Sequence, residues 1–100
     1  MFKIKLSLVL LSVFIILGCG KNSDALLAEK AGAPLLTGLG NHSHNISSNI
    51  YGVQRYFNQG MIMAFAFNHA ESIRSFKAAQ KLDPKCAMCF WGEALALGPN

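Results

Sequence analysis

Set against itself with an offset of 34 residues, the second half of this 100-residue chain matches its own end. Tyr56-Phe57 falls on Phe90-Trp91, Gln59-Gly60 on Glu93-Ala94, and Met61 and Met63 on Leu95 and Leu97. Large residues meet large ones and small residues meet small ones. That period is the length of a helix–turn–helix unit, which buries its apolar face only on its neighbours. The local pattern agrees. Residues 49–67 predict a first helix, with Ser47, Ser48 or Asn49 as its cap. Met61, Met63, Phe65 and Phe67 alternate as a strand would, but their setting between Tyr56-Phe57 and a turn favours a buried helix. Asn68-His69 forms that turn. Residues 70–82 predict a second helix, in which Ile73, Phe76, Ala79 and Leu82 recur at helical spacing. Asp83-Pro84 closes it, and Pro84 opens a third helix over residues 85–97, since proline is accepted where the first N–H would lack a partner.

The other end of the chain is a different material. Lys3 and Lys5 precede an apolar stretch from Leu6 to Leu17, followed by the polar run Gly20-Lys21-Asn22-Ser23. A basic start, a short apolar core and a small residue at the end mark an export signal. The stretch falls short of the ~20 apolar residues that a spanning helix needs, which leaves an uncleaved membrane span as the alternative. Ile16-Leu17-Gly18-Cys19 resembles a lipobox, the signal of bacterial lipoproteins. The resemblance implies that the Cys19 thiol is joined to diacylglycerol, that residues 1–18 are removed, and that the new amino group is acylated, with chains such as palmitate. Several acyl chains hold a protein on a bilayer firmly where one holds it weakly. Residue 20 is Gly and not Asp, which favours the outer membrane if the cell has one.

Between leader and repeat, residues 19–48 are rich in Gly, Ser and Asn and poor in apolar periodicity, so they predict a flexible linker. Asp24 to Ala31 has the makings of a short helix, ended by Gly32-Ala33-Pro34. The nine Lys and Arg against five Asp and Glu give a formal charge of +4, but two of the bases lie in the leader and the rest are scattered. No basic patch exists to take a nucleic acid.

Residues 53–97 resemble the tetratricopeptide repeat. Gly60 stands where two helices touch, Tyr56 is the bulky residue one turn earlier, and Met63 the apolar residue three places later. In the second helix Ser72, Phe76, Ala79 and Pro84 stand at the spacings of small, aromatic, small and proline. Phe90, Ala94 and Leu97 begin the next unit. Gln59, where an apolar residue is usual, and Ser72, where Ala is usual, depart from the pattern. A closer resemblance, to the opening of a family of larger bacterial tetratricopeptide-repeat proteins, is carried by Gly38-Leu39-Gly40-Asn41-His42-Ser43-His44, by the stretches at residues 56–60, 67–71 and 82–88, and by Trp91-Gly92-Glu93-Ala94-Leu95-Ala96-Leu97-Gly98-Pro99-Asn100. It implies that this chain is an N-terminal fragment, in which the third helix leaves Phe90, Trp91 and Leu97 partly uncovered. The expected fold is therefore all-α: one tetratricopeptide-like repeat plus one helix over residues 49–100, after a signal peptide and a tether.

Few residues invite chemistry. Cys86-Ala87-Met88-Cys89 suits packing cysteines or a structural disulfide in an oxidising compartment, a redox pair at a helix N-terminus, or half a metal site. Phe90 stands where haem attachment needs His. His42, His44 and His69 are the further metal ligands on offer, although His42 and His44 lie on the tether and suit a polar loop docked on the first helix. His69 and Glu71 sit at a turn with no pocket implied. No phosphate loop, nucleophile elbow or carboxylate pair is present. The expectation is a non-enzymatic, lipid-anchored scaffold of the cell envelope that binds a protein or peptide and carries no cofactor. The alternative is an envelope thiol-redox or metal-binding protein using Cys86 and Cys89.

Overall fold

The computed structural model describes residues 20–99, so the leader, Cys19 and their expected lipidation lie outside it. The described residues are all-helical, with four helices and no strand: α1 (Ser23–Ala31), α2 (Val53–Phe65), α3 (His69–Leu82) and α4 (Ala87–Leu97). Helices α2 and α3 form a hairpin, α4 stacks on α3, and α1 also touches α3. None of these helices is long and apolar enough to cross a membrane.

The helix ends have identifiable causes. The Asn22 side chain accepts the Ala25 N–H at 2.7 Å, and Gly32, at φ 78°, returns its N–H to the Ala28 carbonyl. That is a side-chain cap at one end and a left-handed glycine at the other. α2 begins at Val53 and not near residue 49, because Gly52 precedes it with φ 89° and cannot belong to a right-handed helix. The position also needs glycine for space. A Cβ on Gly52 would lie 2.6 Å from the Leu27 side chain of α1. α2 ends at Phe65 in a paired closure, with the Asn68 N–H on the Met63 carbonyl and the Phe67 N–H on the Ala64 carbonyl. The left-handed residue of this closure is Phe67, at φ 60°, where glycine is usual.

α4 also starts later than the sequence predicts. Pro84 is not its first residue but part of an exposed turn. The Asp83 carboxylate accepts the Lys85 N–H at 3.0 Å, and its carbonyl accepts the Cys86 N–H at 3.1 Å. These bonds hold the chain out of helix until Cys86, which caps α4.

The core is built from Leu27, Ala31 and Ala33 at the N-terminal end together with Val53, Tyr56, Phe57, Phe76, Ala79, Cys89 and Ala96 of the hairpin and α4. Residues 19–48 therefore do not behave as a detached linker where they are described. They carry α1, contribute to the core, and then run along α2. The reason is a rail of polar side chains on α2 that satisfies the backbone of the incoming segment. The Tyr56 hydroxyl donates to the Ala33 carbonyl at 2.6 Å. Gln59 donates to the Pro34 carbonyl and accepts the Leu36 N–H at 2.8 Å. Gln54 donates to the His44 carbonyl and accepts the Ile46 N–H.

Candidate functional site

Phe76 is the hub of the helical stack. Its ring is fully buried between two glycines, one on each neighbouring helix. A Cβ on Gly60 of α2 would lie 2.7 Å from the ring, and one on Gly92 of α4 only 2.3 Å. Tyr56, Met63, Ser72 and Ala79 are also buried. Gly60, expected at a helix contact, lies at one. The two departures from the repeat pattern are both buried and both bonded. The Ser72 hydroxyl donates to the Gly60 carbonyl at 2.7 Å, tying α3 to α2 at that contact. Gln59 adds a 3.0 Å bond to Ser75 to its two bonds on the N-terminal segment.

On α4 the expected packing residues lie elsewhere. Ala94, aligned with Gly60 by the offset of 34, is exposed; Phe90 and Leu97 are 49% and 62% exposed. Cys89, Gly92 and Ala96 face the core instead. The cause is geometric. α4 turns its stripe of small residues towards α3. Phe90, Ala94 and Leu97 lie one and two turns apart on another face. On α2 the aligned stripe Tyr56–Gly60–Met63 is buried, whereas on α4 the stripe is open. Trp91 and Leu95, each about half exposed, border it. Gly92 escapes the repeat pattern, although Cys89, Gly92 and Ala96 recur at helical spacing as a stripe of small residues on this helix. Gln80 donates to the Cys89 carbonyl and to Glu93, which fixes α4 on α3.

Cys86 and Cys89 are joined by a disulfide. Cys89 is completely buried; Cys86 is the cap residue, its sulfur accepting the Cys89 N–H at 3.2 Å. His42, His44 and His69 have separate roles. The His42 ring meets Phe65 edge-on, His44 leans on Phe57, and His69 stands against Phe67. The His44 N–H donates to Asn58, which places the histidine loop on α2. Among the described residues, no three His, Cys, Asp or Glu side chains gather as a metal would need.

The ionisable groups tie elements together. Arg55 of α2 grips both carboxylate oxygens of Asp24 in α1 at 2.7 and 3.0 Å. This bond holds Asp24 below the usual carboxylate range and raises Arg55. Burial pushes the Tyr56 phenol up, so its hydroxyl stays a donor to Ala33. An apolar cleft of about 510 Å³ lies between Leu26, Leu27, Ile50, Tyr51 and Leu82. Compared with known protein families, with characterised proteins and with solved structures, the chain finds no match in any of the three.

Proposed function

We propose that this chain is a non-enzymatic interaction scaffold built on tetratricopeptide-like helix pairs and tethered by Cys19 to a membrane of the cell envelope. The observation that carries the reading is the open stripe of α4. Phe90, Trp91, Leu95 and Leu97 present a continuous apolar face on a helix whose other side is fixed in a core. Apolar faces of that kind on an ordered element take protein partners. The helix pair α2–α3 illustrates what fits such a stripe: an amphipathic helix with a small, an aromatic and a small residue in successive turns, as Ser72, Phe76 and Ala79 provide. The occupant that this stripe fits is accordingly a helix of that kind. The outer membrane is the favoured site where the cell has two membranes.

The test is photo-crosslinking in intact cells. A photoreactive residue at Leu95 or Leu97 should give a discrete adduct, while one at Lys77 or Lys81 of α3 should give none. Equal, diffuse labelling from both helices would remove the scaffold reading.

A further inference from the structure

We propose that Cys86–Cys89 is an exchangeable redox pair, in which Cys86 is the sulfur that trades with an outside cysteine thiol and Cys89 is the resolving sulfur. This inference stands apart from the scaffold reading and rests on three features of the pair.

The first is asymmetry. Cys86 lines a cleft of about 160 Å³ between the α3–α4 turn and the segment Ile46–Ser48, and Cys89 does not. Both cysteines belong to the core cluster, but Cys89 is completely buried whereas Cys86 keeps 7% of its surface exposed. Exchange needs the attacking thiolate to reach a sulfur, so access selects Cys86. The second is the electrostatic setting. Cys86 caps an eleven-residue helix, its sulfur accepts the Cys89 N–H, and the helix's positive end favours negative charge there. That setting suits a sulfur that spends part of its cycle as a thiolate. The third is the weakness of the pair as a staple. The entropy a disulfide removes from the unfolded chain grows with the loop it closes, and these cysteines are only three residues apart. The turn is already held by other means. Asp83 bonds the Lys85 and Cys86 N–H groups and accepts the Ser48 hydroxyl at 2.6 Å, and Gln80 anchors the Cys89 carbonyl. The start of α4 is therefore built to survive opening of the bond.

The chemistry balances without a cofactor. The thiolate of a partner cysteine attacks Cys86 Sγ, forming a mixed disulfide; the Cys86–Cys89 bond breaks and Cys89 leaves as a thiolate that takes a proton. A second partner thiolate then attacks the mixed disulfide on the partner's sulfur. Cys86 leaves as a thiolate, the partner becomes a disulfide, and two electrons have moved into the pair. In reverse, the Cys86 thiolate attacks a partner disulfide and Cys89 resolves the product.

The experiment uses the full chain in mild detergent, with dithiothreitol and then glutathione redox buffers as probes. The pair should open and equilibrate while far-ultraviolet circular dichroism shows unchanged helicity. On alkylation of the reduced protein, Cys86 should react at least about ten-fold faster than Cys89. Cys89→Ser should capture glutathione on Cys86 from oxidised glutathione, as located by peptide mapping. A pair that stays closed until urea unfolds the chain, or a reduced protein in which Cys89 is alkylated first, would overturn the proposal. Both measurements use the unsubstituted protein, so they decide the matter even if Cys89→Ser does not fold.

Discussion

Replacing Gln59 by Leu sets two lines of reasoning against each other. The repeat pattern favours an apolar residue here, so a reading from pattern alone expects Gln59→Leu to stabilise. The structure expects the reverse. Gln59 is 5% exposed and makes three bonds: to the Leu36 N–H, the Pro34 carbonyl and Ser75 Oγ. Ser75 keeps a bond to the Glu71 carbonyl, and Pro34 is exposed enough to be hydrated. The part-buried Leu36 N–H loses its partner. At roughly 1 kcal/mol for each bond lost, the loss is about 2–3 kcal/mol. The added apolar burial returns about 1 kcal/mol. The net change is a destabilisation of about 1–2 kcal/mol, a fall in Tm of roughly 5–15 °C for a domain of this size. Thermal and urea unfolding followed by circular dichroism give the total. Hydrogen exchange at the Leu36 amide locates it: protected in the parent, open in the variant. A Gln59→Leu protein as stable as the parent, with Leu36 still protected, would refute the view that α2 holds the N-terminal segment through this side chain.

Three further outcomes follow from the same contacts. Gly92→Ala should cost about 1–3 kcal/mol, because its Cβ would enter the Phe76 ring, whereas Ala94→Leu on the open face should change stability by less than about 0.5 kcal/mol; urea midpoints check both. Phe67→Gly should stabilise by about 1 kcal/mol, since it relieves a left-handed backbone at a residue 85% exposed, and a lower urea midpoint would contradict this. The Asp24–Arg55 pair should make the docking of α1 sensitive to acid. Asp24 titrates lower when folded than unfolded, so its contribution is present above the unfolded value near 3.8 and is lost as pH falls through the folded one. Exchange of α1 amides should rise below about pH 4 in the parent, and Asp24→Asn should lack that dependence.

What sequence reading reaches, and where it stops, follows the range of the interactions. α1 and its stop at Gly32 are local events, a capping side chain and a left-handed glycine; the stop is legible in Gly32, whereas Asn22 reads as one more residue of a polar run. The α2–α3 hairpin is legible for the same reason, in the periodic apolar residues and the turn at Asn68. The later starts of α2 and α4 escape it because Gly52 looks like any loop glycine, and because Pro84 suits a helix start as well as a turn. Only the approach of Leu27 and the bonds of Asp83 separate those cases. The docking of residues 33–46 escapes it for a deeper reason. It is made by side chains of α2 on distant backbone groups, more than twenty residues away for Gln59, and a polar, glycine-rich segment gives no apolar pattern to announce it. The signal available is Gln59 itself, a polar residue in an apolar place. On α4, the small residues Cys89, Gly92 and Ala96 mark which face is covered.

The proposed scaffold role places these helices at an envelope membrane through Cys19. The most direct measurement is metabolic labelling with an alkyne-tagged palmitate in a bacterial host, comparing the parent with Cys19→Ala. The parent should carry label and appear as a processed protein in the membrane fraction; Cys19→Ala should carry none and persist as the longer precursor. Label on the Cys19→Ala chain equal to that on the parent, or a parent with none, would contradict the tether.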